Sequence, residues 1–191
     1  MRAQKDFTAN IPIPILERTD LKPQVKLLYG VINSMERSNY KVIYATNTFF
    51  AKIFHVDERT IQRWLKILEQ KGLIKRTMRR FSTKKVVRYI QTVGRTSNAR
   101  FCLVPYSSIR DKHGASALII GWLQTCTRVT KKRETQSLRR LARRLGLTRN
   151  QILYALKFLK YNPQCYIEYQ PLKYPTVFST TKRFLRLAML D

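Results

Sequence analysis

The chain is poor in acid: 11 Asp+Glu stand against 38 Lys+Arg, for a formal net charge of +27 over 191 residues. Its few carboxylates are scattered, so a nuclease or polymerase centre, which gathers several of them on Mg²⁺, lacks its ligands. Histidine occurs only at His55 and His113, in neither an H-x-H nor an H-E-x-x-H pattern. That leaves no histidine-built metal site, and no metal for a relaxase, although tyrosines that would serve as its nucleophile are present. The three cysteines, Cys102, Cys126 and Cys165, are far apart and form no C-x-x-C pair. This spacing argues against structural zinc and for reduced core thiols in the cytosol. No apolar run reaches membrane-spanning length and no signal peptide opens the chain, so no membrane insertion and a cytoplasmic location are expected. Together these absences predict a protein that is not an enzyme and needs neither metal nor cofactor.

What is present is a core and a large unpaired positive charge. Hydrophobic residues make up 44% of the chain, too many for a disordered basic tail. The charge calls for a polyanionic partner, because Lys and Arg gain by releasing counterions condensed on nucleic acid.

The chain also repeats. Residues 11–68 lie over 102–159 at a constant offset of 91, pairing Pro14 with Pro105, Asp20 with Asp111, Leu27 with Leu118, Gly30 with Gly121 and Ala51 with Ala142. Ile61, Leu65, Lys66 and Leu68 fall on Ile152, Leu156, Lys157 and Leu159, and Ile13 falls on the similarly apolar Val104. Agreement at core-facing positions with drift elsewhere is the mark of two copies of one fold. The expected units are 1–95 and 96–191.

In the first unit, Thr19 or Asp20 is the expected cap of a helix that takes Pro23 in its first turn and buries Val25, Leu28, Ile32 and Met35. A β-prone stretch, Val42-Ile43-Tyr44, follows. Thr46 or Asn47 caps a second helix, the chain turns at His55-Val56, and Asp57 caps a third helix that Gly72 terminates. His55, in that turn, is assigned a capping or packing role. Two strands, Leu73-Ile74-Lys75-Arg76 and Val86-Val87-Arg88-Tyr89-Ile90, are joined by a basic tip over 79–85. A short helix, a turn, a capped helix and then a hairpin make a winged helix-turn-helix.

The second unit reads the same way with more charge. A helix over 118–129 buries Ala117, Ile120 and Leu123 on its apolar face. Ser137 caps Leu138-Arg139-Arg140-Leu141-Ala142-Arg143-Arg144-Leu145, Gly146 makes the turn and Thr148 caps the last long helix. Tyr166-Ile167-Glu168-Tyr169 and Thr176-Val177-Phe178 are the expected wing strands around Lys173, and a C-terminal helix over 182–190 would dock on a core or partner. The fold class is therefore mainly α with small β wings (α+β): two tandem winged helix-turn-helix units forming an intramolecular pseudodimer.

The N-terminal part of such a third helix enters the major groove. The expected base readers are Arg59, Thr60, Gln62 and Arg63 in the first unit, and Arg149, Asn150, Gln151 and Tyr154 in the second. Lys66 and Lys157, the wing residues Arg79, Arg80, Lys84, Lys85 and Lys173, and the cluster Arg139, Arg140, Arg143 and Arg144 are the expected phosphate contacts. No acidic residue flanks that cluster in sequence, which favours phosphate over a merely solvated face. Aromatics that would serve as stacking platforms for single strands fall instead at core-like positions such as Phe49, Phe50, Trp64 and Trp122.

The run Val56-Asp57-Glu58-Arg59-Thr60-Ile61-Gln62-Arg63-Trp64-Leu65, continued by Glu69-Gln70-Lys71-Gly72-Leu73-Ile74 and preceded by Leu27-Leu28-Tyr29-Gly30, resembles the winged helix-turn-helix of replication initiators and replisome organisers. Those proteins are carried by plasmids and phages of Gram-positive bacteria. The tandem layout also resembles conjugative-transfer accessory proteins that bind near a transfer origin as internal dimers. The resemblance implies a monomer on double-stranded DNA at an origin of replication or transfer, with other replication or relaxosome proteins as further partners. A transcriptional repressor of the same element, and an RNA or single-stranded nucleic-acid module, are the alternatives. An approximate two-fold with central wings would place the half-sites about one helical turn apart, on an asymmetric target, because the two sets of readers differ.

Overall fold

The computed structural model describes residues 8–38, 45–82, 85–94, 100–109, 113–130, 138–161, 167–170 and 177–180. The same succession of elements runs twice. The first half has β1 (Thr8–Pro12), α1 (Ile13–Leu16), α2 (Pro23–Ser38), α3 (Asn47–Phe54), α4 (Glu58–Gln70), β2 (Ile74–Ser82) and β3 (Lys85–Thr92). The second has β4 (Phe101–Pro105), α5 (Tyr106–Ile109), α6 (Gly114–Thr130), α7 (Leu138–Leu145), α8 (Arg149–Tyr161), β5 (Ile167–Gln170) and β6 (Val177–Thr180).

The constant offset holds from α2 through α4 and fails before them. From Pro23 to Gly114 the shift is 91, but from Thr8 to Phe101 it is 93. The connection 17–22 of the first half is thus two residues longer than its counterpart 110–113. Pro12, not Pro14, is the counterpart of Pro105, and the match of Asp20 to Asp111 loses its meaning.

The sequence reading missed β1 and β4, which join the halves. They pair antiparallel with Ala9 opposite Val104 and Ile11 opposite Cys102, and both alternate half-buried and buried residues. Each strand is short and ends in proline, so its period-2 signal spans too few residues to stand out. α2 and α6 back onto this ribbon, and here the repeated glycine finds its reason. A Cβ on Gly30 would lie 2.5 Å from Ile11 Cγ1, and one on Gly121 2.5 Å from Val104 Cγ2. The ribbon's amides find side-chain acceptors on the same helices: Asn10 N–H donates to Ser34 Oγ at 2.8 Å and Leu103 N–H to Thr125 Oγ1 at 2.9 Å. The halves therefore join through a ribbon and packed helices, in place of the central wings expected.

One apolar core runs through both halves. Leu28 and Ile32 of α2, Phe50 of α3, and Ile61, Leu65 and Leu68 of α4 are all fully buried, as are Leu118, Leu123, Leu141, Leu145 and Ile152. Each such side chain contributes roughly 1.5–3 kcal/mol. Phe49 departs from the expectation of a core position: it is 42% exposed, edge-on to Phe50. The β-prone stretch Val42-Ile43-Tyr44, the cap Ser137, the thiol Cys165 and the C-terminal helix over 182–190 lie outside the described residues.

Candidate nucleic-acid interface

Three of the expected caps start α3, α4 and α8. Thr46 Oγ1 accepts from Phe49 N–H at 3.1 Å and starts α3. Asp57 Oδ1 accepts from Thr60 N–H at 2.7 Å and starts α4, and those bonds hold the Asp57 carboxyl below its ordinary range. Thr148 starts α8 with a reciprocal capping box: Gln151 N–H donates to Thr148 Oγ1 at 3.2 Å, and Thr148 N–H to Gln151 Oε1 at 2.9 Å. The first cap of the chain does not form as expected. α2 begins at Pro23, with Lys22 accepting from Val25 and Lys26, while Asp20 turns away to hold Arg18 and Lys71.

α4 ends in a Schellman motif. Gly72, at φ +66, donates to Glu69 O at 2.9 Å, and Leu73 donates to Leu68 O at 2.9 Å. The buried pair Leu68 and Leu73 closes the motif and directs the chain into β2.

Helices α4 and α8 each bury one stripe and expose another. On α4, Arg59, Gln62, Arg63 and Lys66 are exposed while Ile61 and Leu65 are fully buried; on α8, Arg149, Asn150, Gln151, Tyr154 and Lys157 are exposed over Ile152, Ala155 and Leu156. Arg59, Arg63 and Lys66 thus find exposed counterparts in Asn150, Tyr154 and Lys157, whereas Gln62 corresponds to the half-buried Leu153. Two expected readers are committed elsewhere. Thr60 Oγ1 donates to Asp57 Oδ2 at 2.8 Å, and Gln151 is held in its capping box. Tyr154, 67% exposed, stands beside His113, which packs on Phe158 at 3.9 Å between ring centroids.

The first wing is a longer hairpin than expected. β2 and β3 pair from Ile74 opposite Thr92 to Ser82 opposite Lys85, with a bulge between Arg80 and Ser82. Arg79, Arg80 and Lys85 consequently belong to strands instead of to the tip. Lys84 and Lys173 lie outside the described residues. Three anchors hold the wing to the helices. Arg76 bonds Glu69 of α4, Glu36 of α2 accepts from Thr92 N–H at 3.1 Å, and Arg88 donates to Asn47 Oδ1 and Ala45 O, each at 2.7 Å. β5 and β6 pair antiparallel in the second half, Ile167 opposite Thr180.

On α7, Arg139, Arg140, Arg143 and Arg144 are exposed around the buried Leu141 and Leu145. Arg144 does find an acid: it donates to Glu17 Oε1 at 2.7 Å, across 127 residues of sequence. The adjacent-sequence test could not detect that partner, because the fold supplies it from the other half.

Sequence reasoning also missed Lys26. It lies in the apolar run Val25-Lys26-Leu27-Leu28 and is fully buried. Its Nζ donates to Leu16 O at 2.8 Å, Leu145 O at 2.7 Å and Gly146 O at 3.2 Å. Burial lowers the ammonium to about 8, so at neutral pH it is still a cation with three donors for three carbonyls. The signal was there: a lysine interrupting the buried face of an amphipathic helix needs a partner.

The helix-turn-helix domain family matches residues 19–74, from the loop before α2 to the first residue of β2. No curated protein and no solved structure matches the chain. Its first half therefore carries a helix-turn-helix domain, a DNA-binding class of module. Among the described residues, no three or more His, Cys, Asp or Glu side chains are placed to hold a metal ion, and no helix is long and apolar enough to cross a membrane.

Proposed function

We propose that the chain is a non-catalytic, sequence-preferring double-stranded DNA-binding protein of a mobile genetic element, acting at an origin of replication or conjugative transfer. Two winged helix-turn-helix units, 1–95 and 96–191, form an intramolecular pseudodimer. The observation that carries this reading is the matched exposure of α4 and α8, which present Arg59, Arg63 and Lys66 on one helix and Asn150, Tyr154 and Lys157 on the other. Arg takes guanine bidentately and Asn takes adenine, so the two helices favour different bases. Arg59, Gln62, Arg63, Arg149, Asn150 and Tyr154 are the readers; Thr60 and Gln151 support their helix starts. Lys66, Lys157, Arg80, Arg139, Arg140 and Arg143 take phosphates. The origin context is supported by the resemblance of the run from Val56 to Ile74 to replication initiators.

Binding is measured on duplex and single-stranded DNA across a salt series. Duplex is expected to bind more tightly, and tighter binding of single strands would overturn the reading. Arg63→Ala is expected to cost specific binding about 10-fold or more and non-specific binding much less; an equal loss on both would reassign Arg63 to phosphate. Footprinting on the DNA flanking the gene then shows whether the site lies in an origin or in a promoter, the latter being the outcome for a repressor.

A further inference from the structure

The connection 17–22 is two residues longer than its counterpart in the second half, and it touches both α4 and the turn before α8. At one end, Asp20 accepts from Lys71 at 2.9 Å, and Lys71 is the C-cap of α4. Arg18 holds the same carboxylate at 2.8 and 2.7 Å. At the other end, the turn before α8 closes on the connection backbone to backbone: a Cβ on Gly146 would lie 2.4 Å from Arg18 O and 2.6 Å from Glu17 O. Glu17 also takes Arg144 of α7. Beneath this contact Lys26 ties Leu16, ahead of the connection, to Leu145 and Gly146, ahead of α8.

We infer that the connection 17–22 and the buried Lys26 form a strut that fixes α8 relative to α4, making Lys26 the positioning residue for the distance between the two DNA-reading helices. The inference rests on the two-reader function proposed above. Among the described residues the strut is one-sided. Ala117 stands at the position of the second half that corresponds to Lys26, and the first turn, at His55, is exposed. A twofold pair of contacts would merely repeat the pseudodimer, whereas a single asymmetric clamp sets a geometry. Two readers on a flexible tether tolerate many half-site separations, since the second engagement is governed by effective concentration. Two readers on a rigid frame accept one separation and lose binding sharply on either side of it.

The test is selection from a library of random DNA duplexes, run in parallel with the full wild-type chain and with Lys26→Met, followed by affinity measurements on the enriched sequences. Wild type is expected to return two sequence blocks at one separation. Lys26→Met should return the same blocks over several separations, lose about 10-fold or more on the best wild-type duplex, and bind a duplex carrying the first block alone within about two-fold of wild type. If Lys26→Met keeps the single sharp separation, the strut is refuted while the two-reader function stands. If wild type returns one block or none, the two-reader function falls and the strut with it. Should circular dichroism show Lys26→Met unfolded, Asp20→Ala, which removes the Arg18 and Lys71 contacts at an exposed position, is selected in its place. Broadened separation then supports the strut and an unchanged one overturns it.

Discussion

The turns between α3 and α4 and between α7 and α8 share a backbone and differ in their surroundings. His55 sits at φ 50 and Gly146 at φ 54, and the following residues close the same bond, Val56 N–H to Ala51 O at 3.2 Å and Leu147 N–H to Ala142 O at 3.0 Å. Yet His55 is exposed and Gly146 is buried against the carbonyls of 17 and 18. The left-handed conformation alone does not require glycine, since a histidine holds it in the first half. What requires glycine in the second is the absence of room for a Cβ. The first half leaves its turn open to solvent, while the second has its turn clamped against the connection 17–22.

The largest effect expected from breaking this difference is at Gly146. Gly146→Ala adds a Cβ to a left-handed residue and drives it into backbone oxygens, and should cost about 3 kcal/mol or more. Gly72→Ala provides the comparison: its φ is +66 but no atom lies within 4 Å of the added Cβ, so only the conformational penalty of about 1 kcal/mol is expected. Urea unfolding followed by circular dichroism measures both. Equal losses would mean that Gly146 is held for its dihedral angles and that the clamp contributes little.

Next in size is the buried lysine. Lys26→Met leaves three carbonyls of a closed contact without donors and should cost about 2–4 kcal/mol at neutral pH. Its pH dependence has a definite sign. The folded-state pKa is lowered from its ordinary 10.5 to about 8, so between those values the unfolded chain carries the proton that the folded chain has released. Stability therefore rises with pH through that window. Relative to Lys26→Met, the wild type should gain stability from pH 8 to 10.5. A difference that stays flat there, or falls, would show that the ammonium keeps its proton and that the three carbonyls outweigh desolvation.

The parts of the molecule legible in the sequence are those governed by neighbours along the chain. Caps at Thr46, Asp57 and Thr148, the C′ glycine at 72 and the buried stripe of Ile61, Leu65 and Leu68 each follow from a pattern a few residues long, and the structure realises each. The exposed sides of α4 and α8 followed from the same stripes. What was not legible depends on distant pairs. The β1–β4 ribbon needs two weak segments to meet, Glu17 finds Arg144 across 127 residues, and Lys26 finds its acceptors only once α1, α2 and α7 are packed. The misplaced cap at Asp20 has the same origin, because Lys71 and Arg18 compete for its carboxylate and draw it well below the usual range of a carboxylic acid.

The smallest effect separates conformation from packing at the open turn. His55→Gly removes the steric penalty of a side chain in the left-handed region, at the cost of a more flexible unfolded chain. Among the described residues no clamp of the kind at Gly146 meets this turn. A net stabilisation of about 0.5–1 kcal/mol is expected, with DNA affinity within about two-fold of wild type because His55 belongs to neither set of proposed readers. Thermal unfolding and duplex binding on the same sample measure the two quantities. If His55→Gly instead destabilises the protein, or weakens DNA binding by 10-fold, the imidazole has a role in the first module that the backbone of the turn does not explain. The contrast with Gly146 would then be between two functional turns, where the structure as described has one open turn and one clamped turn.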